Sequence, residues 1–196
     1  MLTRLNAINI MLRAVGQSPI TTAGLQHPHA ILASNTLTDI ETEVQASGWW
    51  FNEDVGVTLL ANTDGEVIIP SNALNCDPSE LNNYYSGTSG LVQRGNRMYD
   101  PRAQTFFINE SVKCDIIYRL DFTEIPHAAA SYIAYYAALE FHSDVIGDKA
   151  KMARLESKLG LLYVALSTQD MLNRNINART SPGAARLLSG VRPASR

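Results

Sequence analysis

The 196 residues, 45% hydrophobic and 18% charged, suffice for one well-buried soluble domain or for one domain carrying an insertion. No apolar run approaches the ~20 residues that span a bilayer, and MLTRLNAINIMLRAVGQ alternates polar and apolar residues too closely for a signal-peptide core, so neither a membrane nor an export route is expected. The net charge of −3 hides an asymmetry: up to Asp170 there are 11 basic and 19 acidic side chains, and from Met171 on five arginines and no acid. Such an acidic body excludes nucleic acid as a tightly held partner, although DNA can pass nearby without sticking.

In chain order, residues 2–15 place Leu2, Leu5, Ile8, Leu12 and Val15 at helical spacing, with Gly16 suited to end the helix. A second helix is expected from Pro28 to Ala46, with Ile31, Leu32, Leu37, Ile40 and Val44 as its apolar residues and Gly48 as its stop. The period then changes to short β-branched and aromatic runs: WWFNEDVGVTLL, GEVIIP, LVQRGNRMYD, TFFIN and VKCDIIYRL. Turn signals at Asn62-Thr63-Asp64-Gly65 and Arg94-Gly95-Asn96 separate them. Pro126 suits the first turn of a third helix reaching Val145, and Gly147-Asp148 divides it from a fourth. The fourth carries one apolar seam, Met152, Leu155, Leu159, Leu162 and Leu166, stepping 3, 4, 3, 4. The third supplies small residues, Ala128, Ala129, Ala130, Ala134, Ala137 and Ala138, that allow close backbone approach.

This order predicts an α+β fold. A mainly α-helical bundle of two N-terminal and two C-terminal helices (1–48 and 123–177) holds an inserted antiparallel β-domain (49–122). Residues 178–196, broken by Pro182, Gly183, Gly190 and Pro193, read as a flexible basic C-terminal tail with one apolar spot, Leu187-Leu188.

Chemical motifs are sparse. There is no GxSxG, HExxH, Walker loop or GxGxxG, and no cofactor is expected. His27-Pro28-His29 has no third ligand near in sequence, and His127 and His142, ~22 Å apart along a helix, cannot share a site. Cys76 and Cys114 read as reduced thiols rather than a disulfide or metal pair. The stretch Tyr84–Gly90 reads equally as a binding loop or a surface connection. Asn109-Glu110-Ser111 matches a glycosylation acceptor that only a secreted chain would use.

Five segments, LNAINIMLRAVGQSPI, ASGWWFN, VIIPSNALNCD, LVQRGNRMYD and FTEIPHAAASYIAYYAALEF, stand in an order and spacing that resemble the tail tubular protein A family. These are the head-to-tail adaptors, or gatekeepers, of short-tailed bacteriophages, and the resemblance covers roughly residues 2–166. It implies a structural virion protein without catalysis, located in the tail below the portal vertex and in the host cytoplasm during assembly. It implies a homo-oligomeric ring, a dodecamer, that binds the portal protein on one side. On the other side it receives a nozzle of the tail tubular protein B type and, in some phages, tail fibres. The genome leaves through the ring. The alternative from another class, a virion-associated hydrolase, would need clustered acids in a cleft.

Within that reading, Trp49 and Trp50 divide their roles. One indole seals the joint between bundle and sheet and the other meets a neighbouring subunit, unless one subunit buries both. Ala134 and Ala137 are further interface candidates. Of the nine acids in the cation-free stretch from Ala14 to Gln93, seven, Asp39, Glu41, Glu43, Glu53, Asp54, Asp64 and Glu66, are candidates of which some face the channel. Arg179, Arg186, Leu187, Leu188 and Arg192 would form a portal-binding tail, the alternatives being a strap onto the adjacent subunit or a solubilising end.

Overall fold

The computed structural model describes residues 2–21, 27–79 and 90–174; the loop 84–89 and the segment 178–196 singled out above lie outside them. Local chemistry sets each helix limit. Thr3 Oγ1 accepts the Asn6 N–H at 3.2 Å and opens α1 (Arg4–Ala14). A Schellman turn closes it, with Gly16 at φ +73° and Gln17 N–H donating to Leu12 O at 2.9 Å. Helix α2 (Pro28–Ala46) starts on its proline and stops before Gly48, at φ +70°. Pro126 precedes α3 (His127–Val145), and Asp148 caps α4 (Lys149–Asn173) by accepting from Lys151 N at 2.7 Å.

Helix α3 lies in the middle of the bundle and packs on α1, α2 and α4. Its alanines are what permit three neighbours. Ala130, Ala134, Ala137 and Ala138 meet Ala7, Met11 and Leu12 of α1 and Leu37 and Ile40 of α2 in one core with Ile133 and Phe141. Ala134 and Ala137 are 0% exposed within a single chain. They therefore leave no surface for a neighbouring subunit, which corrects the interface role expected of them. Of the apolar residues read in α2, Leu37, Ile40 and Val44 are buried, whereas Ile31 and Leu32 are exposed.

Strands β1 (Glu53–Leu59), β2 (Ala73–Pro78) and β5 (Val112–Tyr118) form an antiparallel sheet in the order β1-β5-β2, and β3 (Val92–Arg94) and β4 (Arg97–Tyr99) form a hairpin. Gly95, at φ +62°, fills the first position of the two-residue hairpin turn, as a type II′ turn requires. A second core of Val67, Ile69, Cys76, Leu91, Met98, Val112, Cys114 and Ile116 lies under the sheet.

The expected strand runs change in three places. The run from Trp49 starts as a turn, with Glu53 N donating to Trp49 O at 3.1 Å, and extends only from Glu53. GEVIIP and TFFIN make isolated bridges, such as Glu66 to Phe107, rather than strands. Ala73–Pro78, poor in β-branched residues, becomes a strand because β5 supplies a full antiparallel partner, with Cys76 opposite Ile116.

Two buried amides join bundle to sheet. Gln45 Nε2 donates to Leu120 O at 3.1 Å and its Oε1 accepts from Leu120 N at 2.8 Å. Asn52 Nδ2 donates to both Gln45 O and Tyr118 O, and its Oδ1 accepts from Trp49 N. The joint expected of an indole is thus made by hydrogen-bonded amides, which satisfy the backbone groups stranded where helix gives way to sheet.

Candidate functional site

Helix α4 packs on α3 through the predicted seam, with Leu155 and Leu166 buried and Met152, Leu159 and Leu162 half-buried. Each fully buried leucine contributes about 1.5–3 kcal/mol. The opposite side is also apolar. Leu161 (68% exposed), Val164 (62%), Met171 (56%) and Leu172 (73%) recur at i, i+3, i+10 and i+11, which on a helix is one stripe. Nothing in the described chain covers it. The sequence reading missed this stripe, although a second 3-and-4 spacing lies alongside the seam and was there to be found.

The C-terminal end of α4 is tied to the start of the sheet by Arg174. Its guanidinium meets Asp170 at 2.8 Å, Glu53 at 2.7 Å and the Gly48 carbonyl at 3.0 Å. Burial works against its charge, but the Asp170 hydrogen bond and the Glu53 charge outweigh it and hold the group above its ordinary range. Asp170 also accepts the Trp50 backbone N–H at 2.9 Å.

Beside this tie, between the end of α2, α3 and α4, opens a cleft of ≈ 620 Å³. Trp49, Tyr132, Tyr136 and Tyr163 wall it, and Glu43 and Asp170 supply its carboxylates. Ring centroids stand 6.5 Å apart for Trp49 and Tyr163, 5.7 Å for Tyr132 and Tyr163, and 6.0 Å for Tyr132 and Tyr136. Tyr136 Oη donates to Glu43 at 3.2 Å. Burial and then the Glu43 charge raise the Tyr136 phenol above its usual range, and burial does the same for Tyr132, so both remain donors at neutral pH. The i, i+4 pair Tyr132/Tyr136 was the sequence signal for this wall.

The two tryptophans part here. Trp49 turns into the cleft edge, its Nε1 donating to Val44 O at 2.7 Å and its ring edge-on to Tyr163. Trp50 stands edge-on to Phe51 at 5.1 Å, and both indoles stay half-buried.

Folding also divides the seven acids. Glu41 is 2% exposed and pairs with Arg4 at 2.7 Å, so it cannot face a channel. Glu66 pairs with Arg97 at 2.8 Å and Glu53 with Arg174. All three cations come from outside the cation-free stretch. Asp39, Glu43, Asp54 and Asp64 remain exposed.

Cys76 and Cys114 are free and buried on neighbouring strands; the hydrogen bond between them and then burial push the Cys76 thiol far up. His27 and His29 stand 5.8 Å apart, and among the described residues no group of three His, Cys, Asp or Glu is placed to hold a metal. No helix among them is long and apolar enough to cross a membrane.

A family model described as tail tubular protein matches residues 5–174 of the chain. The chain is also similar to the tail tubular protein A of Klebsiella phage KP34, with 29% identity over 149 residues, which is 76% of each protein.

Proposed function

The chain belongs to the tail tubular protein family and is a structural protein of a phage tail; from that premise we propose that it forms the head-to-tail adaptor ring between portal and nozzle. The exposed α4 stripe carries this reading. Four large apolar side chains on one helix face, in an otherwise well-packed bundle, mark a surface that another protein covers. A second copy is the occupant that a ring requires, because a stripe on one subunit meeting a different surface on the next makes a head-to-tail contact that closes by rotation. Trp50 is proposed to lie at that contact, whereas Trp49 belongs to the subunit's own cleft.

The bundle would then form the ring wall, with the sheet region as a second unit attached at the Gln45/Asn52 joint. With Glu43 turned to the cleft and bonded to Tyr136, Asp39, Asp54 and Asp64 are the acids left to face the channel, where like charge keeps DNA from adhering. The distal part of the C-terminal segment, Arg186, Leu187, Leu188 and Arg192, would dock on the portal, with the leucines as anchor.

Light scattering of the full chain, alone and mixed with portal, tests the reading. The wild type should form an assembly many times the 21.5 kDa chain mass. Leu161→Glu/Val164→Glu should remain monomeric with an unchanged circular dichroism spectrum. Deletion of 178–196 should leave the ring and weaken portal binding. A wild type that stays monomeric both alone and with portal refutes the ring; undiminished portal binding by the deletion refutes only the tail's role.

A further inference from the structure

The cleft beside the C-terminal half of α4 has a chemistry that nothing in the described chain uses. Four aromatic rings surround it, and Glu43 at its polar end accepts from Tyr136 Oη but pairs with no cation among the described residues. Aromatic faces attract a cation through the ring quadrupole, and a carboxylate beside them fixes its orientation. A guanidinium suits both, because it is flat enough to stack and forked enough to bridge carboxylate oxygens; it is also less strongly hydrated than an ammonium, so it enters a half-buried site at lower cost. Arg174 shows the same preference at the rim, bridging Asp170 and Glu53.

We propose that this cleft is a guanidinium seat, filled by Arg179 of the same chain. The described structure ends at Arg174, held against Asp170, and Asp170 lines the cleft. Residues 175–196 carry four arginines, Arg179, Arg186, Arg192 and Arg196, with no lysine and no acid. Arg179 lies five positions past Arg174, a reach of up to about 17 Å. Of the four it closes the shortest loop and so loses the least chain entropy on seating. The seat fixes the origin of the C-terminal segment and leaves Leu187 and Leu188 for another surface. This inference does not depend on ring formation.

Trypsin supplies the test, since it cuts after both Arg179 and Arg186 and each molecule carries its own control. In the native full-length chain, cleavage after Arg179 should be about tenfold slower than after Arg186, because cleavage tracks the unseated fraction. Glu43→Gln, at an exposed position, and Tyr163→Ala should each bring the Arg179 rate up to the Arg186 rate with circular dichroism unchanged. Arg179→Ala should shift the Trp49 emission, and Arg186→Ala should not. The protection should persist on dilution and in the Leu161→Glu/Val164→Glu variant. Equal rates in the wild type overturn the proposal, as does slow Arg179 cleavage that Glu43→Gln leaves unchanged. Protection lost on dilution overturns it too, because the arginine would then come from a second copy.

Discussion

At the scale of single residues, the most consequential placement is that of Glu41. Its side chain is 3% exposed and rests on Arg4, 37 positions earlier, which also donates to Ser34 O and contacts Thr38. A buried carboxylate without its cation is costly, so Arg4→Leu is expected to destabilise the fold by about 3 kcal/mol in urea denaturation. Arg4 is itself 37% exposed, and water reaching the vacated carboxylate keeps the loss from being larger. Glu41→Gln retains an acceptor for the guanidinium and should cost only about 1 kcal/mol. If Arg4→Leu changes stability by less than about 0.5 kcal/mol, the pair does not hold α1 to α2. The sequence placed Glu41 in a helix correctly, but it placed it on the wrong side, because its partner is distant in the chain.

Among the elements, α3 decides how the bundle is built. Alanine on successive turns lets α1, α2 and α4 approach it together, and Ala137 has no exposed surface left. Ala137→Leu should therefore overpack the core and cost about 1–3 kcal/mol. The same change at Ala153, exposed on α4, should stay within about 0.5 kcal/mol. Equal thermal shifts for the two variants would show that α3 is not tightly packed. Helix α4 behaves in the opposite way. Its buried seam was legible from spacing, yet its outer stripe has the same composition and no partner within the chain. Spacing shows that a helix has apolar faces, not which of them its own chain will cover.

For the whole molecule, charge is the property most changed by folding. A stretch of 80 residues without a cation suggested a uniformly acidic wall, but Arg4, Arg97 and Arg174 neutralise three of its acids. The exposed remainder is smaller and more specific. If the proposed ring encloses the DNA channel, replacing Asp39, Asp54 and Asp64 together by lysine should slow genome ejection and make it more salt-dependent, as an added cation meeting phosphate would. Ejection kinetics of assembled virions at two salt concentrations check this; rates identical to wild type at both would remove these acids from the channel.

The sequence alone determined what depends on near neighbours. Helix limits followed from Gly16, Pro28 and Gly147-Asp148, and the hairpin from Arg94-Gly95-Asn96, because caps and turns are settled within a few residues. The order of the motifs was likewise enough to point to the family. Only the tertiary structure decided that Ala73–Pro78 pairs as a strand, that Gln45 and Asn52 form the joint, and that Ala134 and Ala137 are core. It also decided which acids stay unpaired and where Trp49, Tyr132, Tyr136 and Tyr163 converge. Each of these depends on groups tens of residues apart, and a buried polar group or an apolar face is defined by what the fold brings against it.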